Sequence, residues 1–325
     1  MFEALSAAPR RTARCLLSAA ALVALTAAAA PAHAEPASKV YLNGVPAPVF
    51  FNDGDSFRVL GGQFEGTKAR LAGYNTLETH GPVHRWGGWT YKEMYVIAKQ
   101  ATLFARRGTW RCTSDLKTDT YGRMLFHCPE LAEALIRRGL AHAMSVARGK
   151  PADEKLLAAQ REAIAGRRGI WAHGVPDFVL TSLHSTAEDA DGYGTYNRLV
   201  SSADGQSIKW KHDNDYPECA EACDDGYESE DRVQAVIAAL KADAGLAAVI
   251  GAYDDARLET LIRKFAMKQD LTKDLAAAEH LAPLTAALEV ERLAGRIGRT
   301  GITSCHIYVD FRRRFGGGKA VCLKW

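Results

Sequence analysis

The chain has 325 residues, 47% of them hydrophobic and 24% charged, with 41 Lys plus Arg against 38 Asp plus Glu and 7 Cys. This composition excludes a wholly disordered, collagen-like or disulfide-only miniprotein and leaves room for one large domain or two small ones. The formal net charge of +3 names no partner by itself.

Residues 1–34 read as a signal peptide. Arg10, Arg11 and Arg14 precede an apolar run from Leu16 to Ala30, and Ala32-His33-Ala34 follows as a small-x-small cleavage pattern. A run so rich in Ala and ending at Pro31 is a poor permanent span, so cleavage after Ala34 and a secreted or periplasmic mature chain without a membrane span are expected. The rest divides by charge. Residues 35–174 hold 20 Lys plus Arg and 13 Asp plus Glu, net +7, whereas residues 175–325 hold 18 and 24, net −6. The basic half is a reason to test polyanionic partners. Six cysteines outside the leader, an even number in an oxidising compartment, read as disulfide candidates.

In chain order, residues 49–60 are β-prone around a glycine, and 69–74 are again strand-like after Gly61-Gly62, which predicts antiparallel strands. Met94, Ile97, Ala98, Ala101 and Ala105 keep helical spacing within 91–106. TWRC (109–112) and MLFHC (124–128) flank DTYG (119–122) as a hairpin, with Cys112 and Cys128 placed for a cross-strand bridge. Two more helices are predicted over 131–140 and 152–165, so this half is a small α+β domain for which a barrel-like sheet is one solution. Gly174 and Pro176 mark its exit, and residues 175–192 read as a linker. A short β-like region (193–210) follows, then Cys219 and Cys223 one helical turn apart. A helical insertion spans about 230–298, where Val233, Val236, Ile237 and Leu240 and then Leu258, Leu261, Ile262 and Phe265 repeat helically. The chain closes with alternating HIYVDF (306–311), Gly316-Gly317-Gly318 and KAVCLKW (319–325). Residues 193–325 therefore read as an acidic, disulfide-bonded α+β domain. Cys219, Cys223, Cys305 and Cys322 admit three pairings, with a Cys₄ zinc site as the alternative.

Three stations in the basic half carry chemistry together: Asp53-Gly54-Asp55-Ser56, Arg70-Leu71-Ala72-Gly73-Tyr74-Asn75-Thr76-Leu77-Glu78, and Asp119-Thr120-Tyr121-Gly122-Arg123. Singly they are turns or solvated strand residues. In this order, with GLA at 139–141 and GIW at 169–171, the series over about 40–174 resembles the staphylococcal nuclease (thermonuclease) family, whose pattern is DGDT, RLxxxDTPE and DxYGR. The resemblance implies an OB-like five-stranded β-barrel with three helices and Ca²⁺-assisted, endonucleolytic hydrolysis of nucleic-acid phosphodiesters. It implies Asp55, Asn75 and the Thr76 carbonyl as Ca²⁺ ligands, Arg70 and Arg123 as phosphate-holding catalytic residues, Glu78 as general base and Tyr121 as substrate-binding. The physical reading agrees: a guanidinium fork reaches two phosphate oxygens, a carboxylate takes a proton from water, and Ca²⁺ takes oxygen ligands.

Departures from the pattern matter. Asn75 stands where the family has a second metal-ligating Asp, which weakens Ca²⁺ binding. Leu77 replaces its Pro, Thr120 a basic residue, and Ser145 a tyrosine that often follows the GLA helix end. A noncatalytic nucleic-acid- or protein-binding module is the alternative function. Trp86, Trp89 and Tyr91 offer either a stacking edge for bases or packing of their loop onto the barrel. His80 and His84 have helical metal-ligand spacing, but Gly81-Pro82 argues against a helix. The acidic half is either structural or an anionic cover for the basic cleft.

Overall fold

In the computed structural model, strands of the first half follow side-chain alternation. The structure describes residues 38–147, 149–189, 195–224, 228, 230–266, 270–298, 304–310, 313, 318 and 320–323, so the expected signal peptide, with its cleavage after Ala34, lies outside the described residues. β1 (Ser38–Leu42) buries Val40 and Leu42 and exposes Lys39, and β2 (Val45–Phe51) buries Ala47, Val49 and Phe51. They are joined through Asn43 and Gly44, both at positive φ, the pair that a tight hairpin favours. β3 (Ser56–Val59) and β4 (Lys68–Leu71) continue the meander, so the stretch 49–60 is two strands broken at Asp53-Gly54-Asp55. β5 (Tyr74–Thr76) and β6 (Val83–Trp86) follow. α1 (Tyr91–Arg107) opens on a capping box between Thr90 and Glu93 and buries Met94, Ile97, Ala98, Ala101 and Ala105. Next come β7 (Thr109–Cys112), β8 (Met124–Phe126), α2 (Pro129–Arg137), β9 (Ala141–Ala143) and α3 (Glu154–Ala165).

The principal sheet runs β7-β1-β2-β3-β4-β8, six strands rather than the five that the resemblance implies, because β7 and β8 add in parallel to its two edges. β7 and β8 thus do not form the expected simple hairpin. They meet at the Thr113–His127 bridge and through the Cys112–Cys128 disulfide, which draw the two edges of the sheet together. The core beneath includes Phe51, Phe57, Phe126, Leu71, Leu135 and Trp171. Trp86 packs in this core, donating from Nε1 to the Ile170 carbonyl at 2.7 Å, and Trp89 lies against His173. Tyr91 opens α1 beside Arg85. For the two tryptophans the packing reading is the observed one.

The second half begins inside the expected linker: β10 (Phe178–Ser182) pairs with β11 (Tyr196–Ser201), which pairs with β12 (Ser207–Lys211). β13 (Glu221–Asp224) contains Cys223, so Cys219 and Cys223 do not share a helical turn. α4 (Glu230–Ala242), α5 (Ala247–Ile250), α6 (Asp255–Ala266) and α7 (Leu281–Leu293) form the insertion around their own core of Val233, Val236, Leu258, Leu261, Leu284 and Leu288. Among the described residues no single helix is long and apolar enough to cross a membrane. β14 (Ser304–Ile307) then pairs with β13 and also with β6 of the first half. Strand structure in HIYVDF thus ends at Ile307, and residues 321–323 form a 3-10 turn. Of the glycine run 316–318, Gly316 and Gly317 lie outside the described residues.

The β13-β14-β6 sheet welds the halves together. His84 and His306 face each other across it with ring centroids 3.9 Å apart, and Arg85 pairs with Glu221. His84 is thus a buried strand residue, while His80 is exposed and contacts Thr79. The four later cysteines are bonded as Cys219–Cys322 and Cys223–Cys305. Disulfides therefore take the place of the zinc alternative. Three disulfides fit an oxidising compartment such as the periplasm or the cell exterior.

Candidate functional site

The site forms where the β2–β3 turn seats beneath β5. Asp53 Oδ1 accepts from the Asp55 amide (3.1 Å) and the Ser56 hydroxyl (2.8 Å), fixing the turn. Gly54 is required by close approach: a Cβ there would lie 2.5 Å from Thr76 Cγ2 and 3.0 Å from Ala101 Cβ. The Tyr74 hydroxyl donates to the Gly54 carbonyl at 2.8 Å and holds the turn against β5.

Asp55 is thereby buried, at 2% exposure. Its Oδ2 accepts from the Thr76 amide (2.6 Å) and hydroxyl (3.1 Å), and its Oδ1 pairs with the Arg70 guanidinium. Burial pushes the Asp55 carboxyl up to about 6, with Arg70 opposing and Asp53 adding to the rise. Arg70 lies on β4 opposite Ser56, on the face away from buried Ala69 and Leu71. Its second terminal nitrogen donates to Asn75 Oδ1 at 2.5 Å. Burial works against the Arg70 charge, but Asp55, Asp53 and Glu78 together raise its pKa above the ordinary value.

Asn75, also buried, donates from Nδ2 to the Thr76 carbonyl at 2.7 Å and lies 3.5 Å from Nε2 of His142, its register partner on β9. Burial lowers the His142 pKa to about 4, so the ring is neutral at pH 7. With Nδ1 3.2 Å from the Ala143 carbonyl, the proton belongs on Nδ1 and Nε2 faces the Asn75 amide as an acceptor.

Asp55, Arg70, Asn75 and Thr76 are thus in direct contact, and half-buried Glu78 acts on Arg70 through its charge. Arg123 and Tyr121 are placed separately. Asp119 accepts from Arg123 Nε and from its backbone amide, at 2.7 and 2.9 Å, and Gly122 turns the chain between them at φ +72. Because Leu125 is the register partner of Arg70, strand alternation puts Arg123 on the polar face that also carries Arg58, Lys68 and Arg70. Tyr121 is 63% exposed, with its hydroxyl 3.2 Å from that of Tyr196 on β11.

As arranged, the donor set does not fit a resident divalent cation. It offers one carboxylate and two neutral oxygens, fewer charges than a Ca²⁺ site prefers. Arg70 already bridges Asp55 Oδ1 and Asn75 Oδ1, and the Asn75 amide occupies the Thr76 carbonyl. The motifs contain Gly54 and Tyr74 without revealing what either does, and they do not include His142. A polar residue inside the otherwise apolar Ala141-His142-Ala143 was the one local signal for His142, and nothing local pointed to Tyr196.

Arg58, Lys68, Arg70 and Arg123 thus lie along one polar face of the sheet, with Asp55 and Asp119 paired to two of them, an arrangement suited to an anionic ligand. Residues 68–173 match the family model of the staphylococcal nuclease homologues. The matched segment runs from β4 to just past Trp171, leaving the Asp53–Ser56 turn and the second half outside it. No curated protein matches the chain.

Proposed function

We propose that this protein is a secreted or periplasmic nuclease that hydrolyses phosphodiester bonds of nucleic acid. The observation that carries the reading is the Asp55–Arg70–Asn75 cluster, with Glu78 acting on the same guanidinium: Arg70, Asn75 and Glu78 lie inside the segment that matches the nuclease family, and Asp55 reaches them from the turn just before it. In this reading Arg70 and Arg123 exchange their internal partners for the non-bridging phosphate oxygens as negative charge builds on them. Glu78 takes the proton of the attacking water, the bond from phosphorus to the departing oxygen breaks, and that oxygen is protonated from solvent. Asp55 and Asp119 aim the two guanidiniums beforehand, so less orientational freedom is lost in the transition state. No step is routed through Ca²⁺, for which the donor set is already committed to internal hydrogen bonds.

The noncatalytic module is the second reading, favoured by the same lock: both terminal nitrogens of Arg70 are held by protein oxygens. The deciding experiment incubates residues 35–325 with single-stranded DNA, duplex DNA and RNA, in Ca²⁺ and in chelator, beside Glu78→Gln and Arg70→Ala. Cleavage that falls at least 100-fold in both variants is expected. No cleavage under any condition, or equal cleavage by the variants, refutes the enzyme.

A further inference from the structure

The β11–β12 hairpin has two unlike faces. Asn197, Leu199 and Trp210 are buried, whereas Tyr196, Arg198, Lys209 and Lys211 share the opposite face, because Tyr196 pairs with Lys211 and Arg198 with Lys209 in the antiparallel register. From Thr195 to Lys211 there are three cations and one acid, Asp204, within a half whose net charge is −6. Lys209 Nζ lies 4.5 Å from the Tyr196 ring centroid and Arg198 Cζ 5.8 Å from it, a cation–aromatic surface.

This face continues the candidate site. The Tyr196 hydroxyl meets that of Tyr121 at 3.2 Å, and Arg123 Cζ lies 5.5 Å from the Tyr121 ring. The Tyr121 hydroxyl lies within the fields of both Arg123 and Arg198. Among the described residues, Glu188 comes near this face through His184, whose ring lies 5.5 Å from that of Tyr196, and its carboxylate is engaged with His184 and the Tyr308 hydroxyl. At its border with the site the acidic half therefore presents tyrosine and cations, unlike an anionic cover.

The hairpin is also fixed in place. Ser145 donates to the Gly205 carbonyl at 2.7 Å and accepts from the Ser207 amide at 2.9 Å. Ala152 donates to Asp204 at 2.8 Å, and Gln160 Nε2 to Ser202 at 2.6 Å. Such anchoring presents the platform without an ordering cost on binding.

We infer that the solvent-side face of β11–β12, with half-buried Tyr196 and Arg198 and exposed Lys209 and Lys211, is a nucleic-acid-binding platform that holds the single strand flanking the bond at Arg70 and Arg123. Tyrosine faces stack on bases and the cations take flanking phosphates, without selecting sequence. The inference rests on the proposed nuclease reading for the position of the scissile bond, but its test needs no cleavage.

Binding is measured by fluorescence anisotropy with dT16, rU16 and the dinucleotide dT2, on full-length mature protein carrying Glu78→Gln so that strands stay intact. Tyr196→Ala should weaken dT16 and rU16 binding by about tenfold, the value of one lost base stack. Lys209→Ala, a truncation of an exposed side chain that leaves the fold in place, should weaken it several-fold and reduce the slope of log affinity against log salt by about 0.7. Affinity for dT2 should be retained in both. Unchanged 16-mer affinity and unchanged salt slope in both variants would overturn the platform. The Glu78-intact protein is assayed for cleavage in parallel: absent cleavage with weakened 16-mer binding removes the hydrolytic reading and supports the platform, and cleavage with unweakened binding does the reverse.

Discussion

Asn75→Asp tests the central geometry. In the native site Asn75 Nδ2 donates to the Thr76 carbonyl at 2.7 Å and faces the acceptor nitrogen of His142 at 3.5 Å. An aspartate puts an oxygen in that place, so acceptor faces acceptor, and a second buried carboxylate joins Asp55 around one guanidinium. Leaving a buried group unsatisfied costs about 1–3 kcal/mol, and the added charge works in the same direction, so about 3 kcal/mol of destabilisation is expected without metal. The same change completes a donor set of two carboxylates and a carbonyl, which suits Ca²⁺. At about 100 times its dissociation constant, Ca²⁺ would return about 2.7 kcal/mol. Calorimetry of both proteins in chelator and in millimolar Ca²⁺ reads this out. The variant should melt at least about 6 °C lower in chelator and recover most of the loss in Ca²⁺, while the native protein should scarcely respond. A variant as stable as the native protein in chelator, or a native protein stabilised by Ca²⁺ as much as the variant, would refute the account in which Arg70 and the Asn75 amide occupy the oxygens a cation would need.

Other consequences are as direct. Replacing Cys112 and Cys128 by Ser removes a crosslink spanning 16 positions and should cost about 3 kcal/mol from chain entropy; denaturant midpoints equal to the native value would contradict its role in holding the sheet edges. His212 accepts from the Asn214 amide on Nδ1 and lies 3.0 Å from Asn197 Oδ1, and burial lowers its pKa to about 4, with Asp213 opposing and His184 assisting. Its unfolded form binds more protons between pH 6.5 and 4. Its contribution is therefore complete above pH 6.5 and lost as pH falls towards 4, on the order of 2 kcal/mol. His212→Gln should flatten the pH dependence of stability in that window, and an unchanged slope would rule the residue out. Gly205→Val would place a Cβ 2.6 Å from that of Ala152 and 3.0 Å from the Ala143 carbonyl at φ +70. The expected cost is on the order of 3 kcal/mol, with faster hydrogen exchange at the Ser145, Ala152 and Ser207 amides; retained protection would show that the hairpin seats without this contact.

Chain-local information was legible wherever physics is local. The spacing of Met94, Ile97, Ala98, Ala101 and Ala105 marked α1, the acid-glycine-acid turn at 53–55 marked a turn of the candidate site, and ordered motifs grouped Asp55, Arg70 and Asn75, which the fold brings into contact. Periodicity and turn chemistry need only a few neighbouring residues, so they survive in the sequence alone. Short pieces failed this test: β5, β9 and β10 have three to five residues, too few to show a period. The segment 175–192 looked like a linker because its breakers outweighed a short apolar run.

What the tertiary structure decided was partnership. The sequence offered three pairings for the last four cysteines, and only the β13–β14 register, setting Cys223 opposite Cys305, chose among them. Arg85 and Glu221 meet across 136 positions, where β14 adds to β6 and turns two charge-distinct halves into one body. The oxygens read as metal ligands are hydrogen-bonded to Arg70 and to the Asn75 amide because folding buries them beside those donors, and a buried polar atom takes the nearest partner. Composition assigned the chain a basic half and an acidic half. Folding placed Tyr196, Arg198 and Lys209 of the acidic half beside Tyr121 of the basic one, since net charge is a sum over a sequence, whereas a binding face is set by which side chains the strand register turns outward.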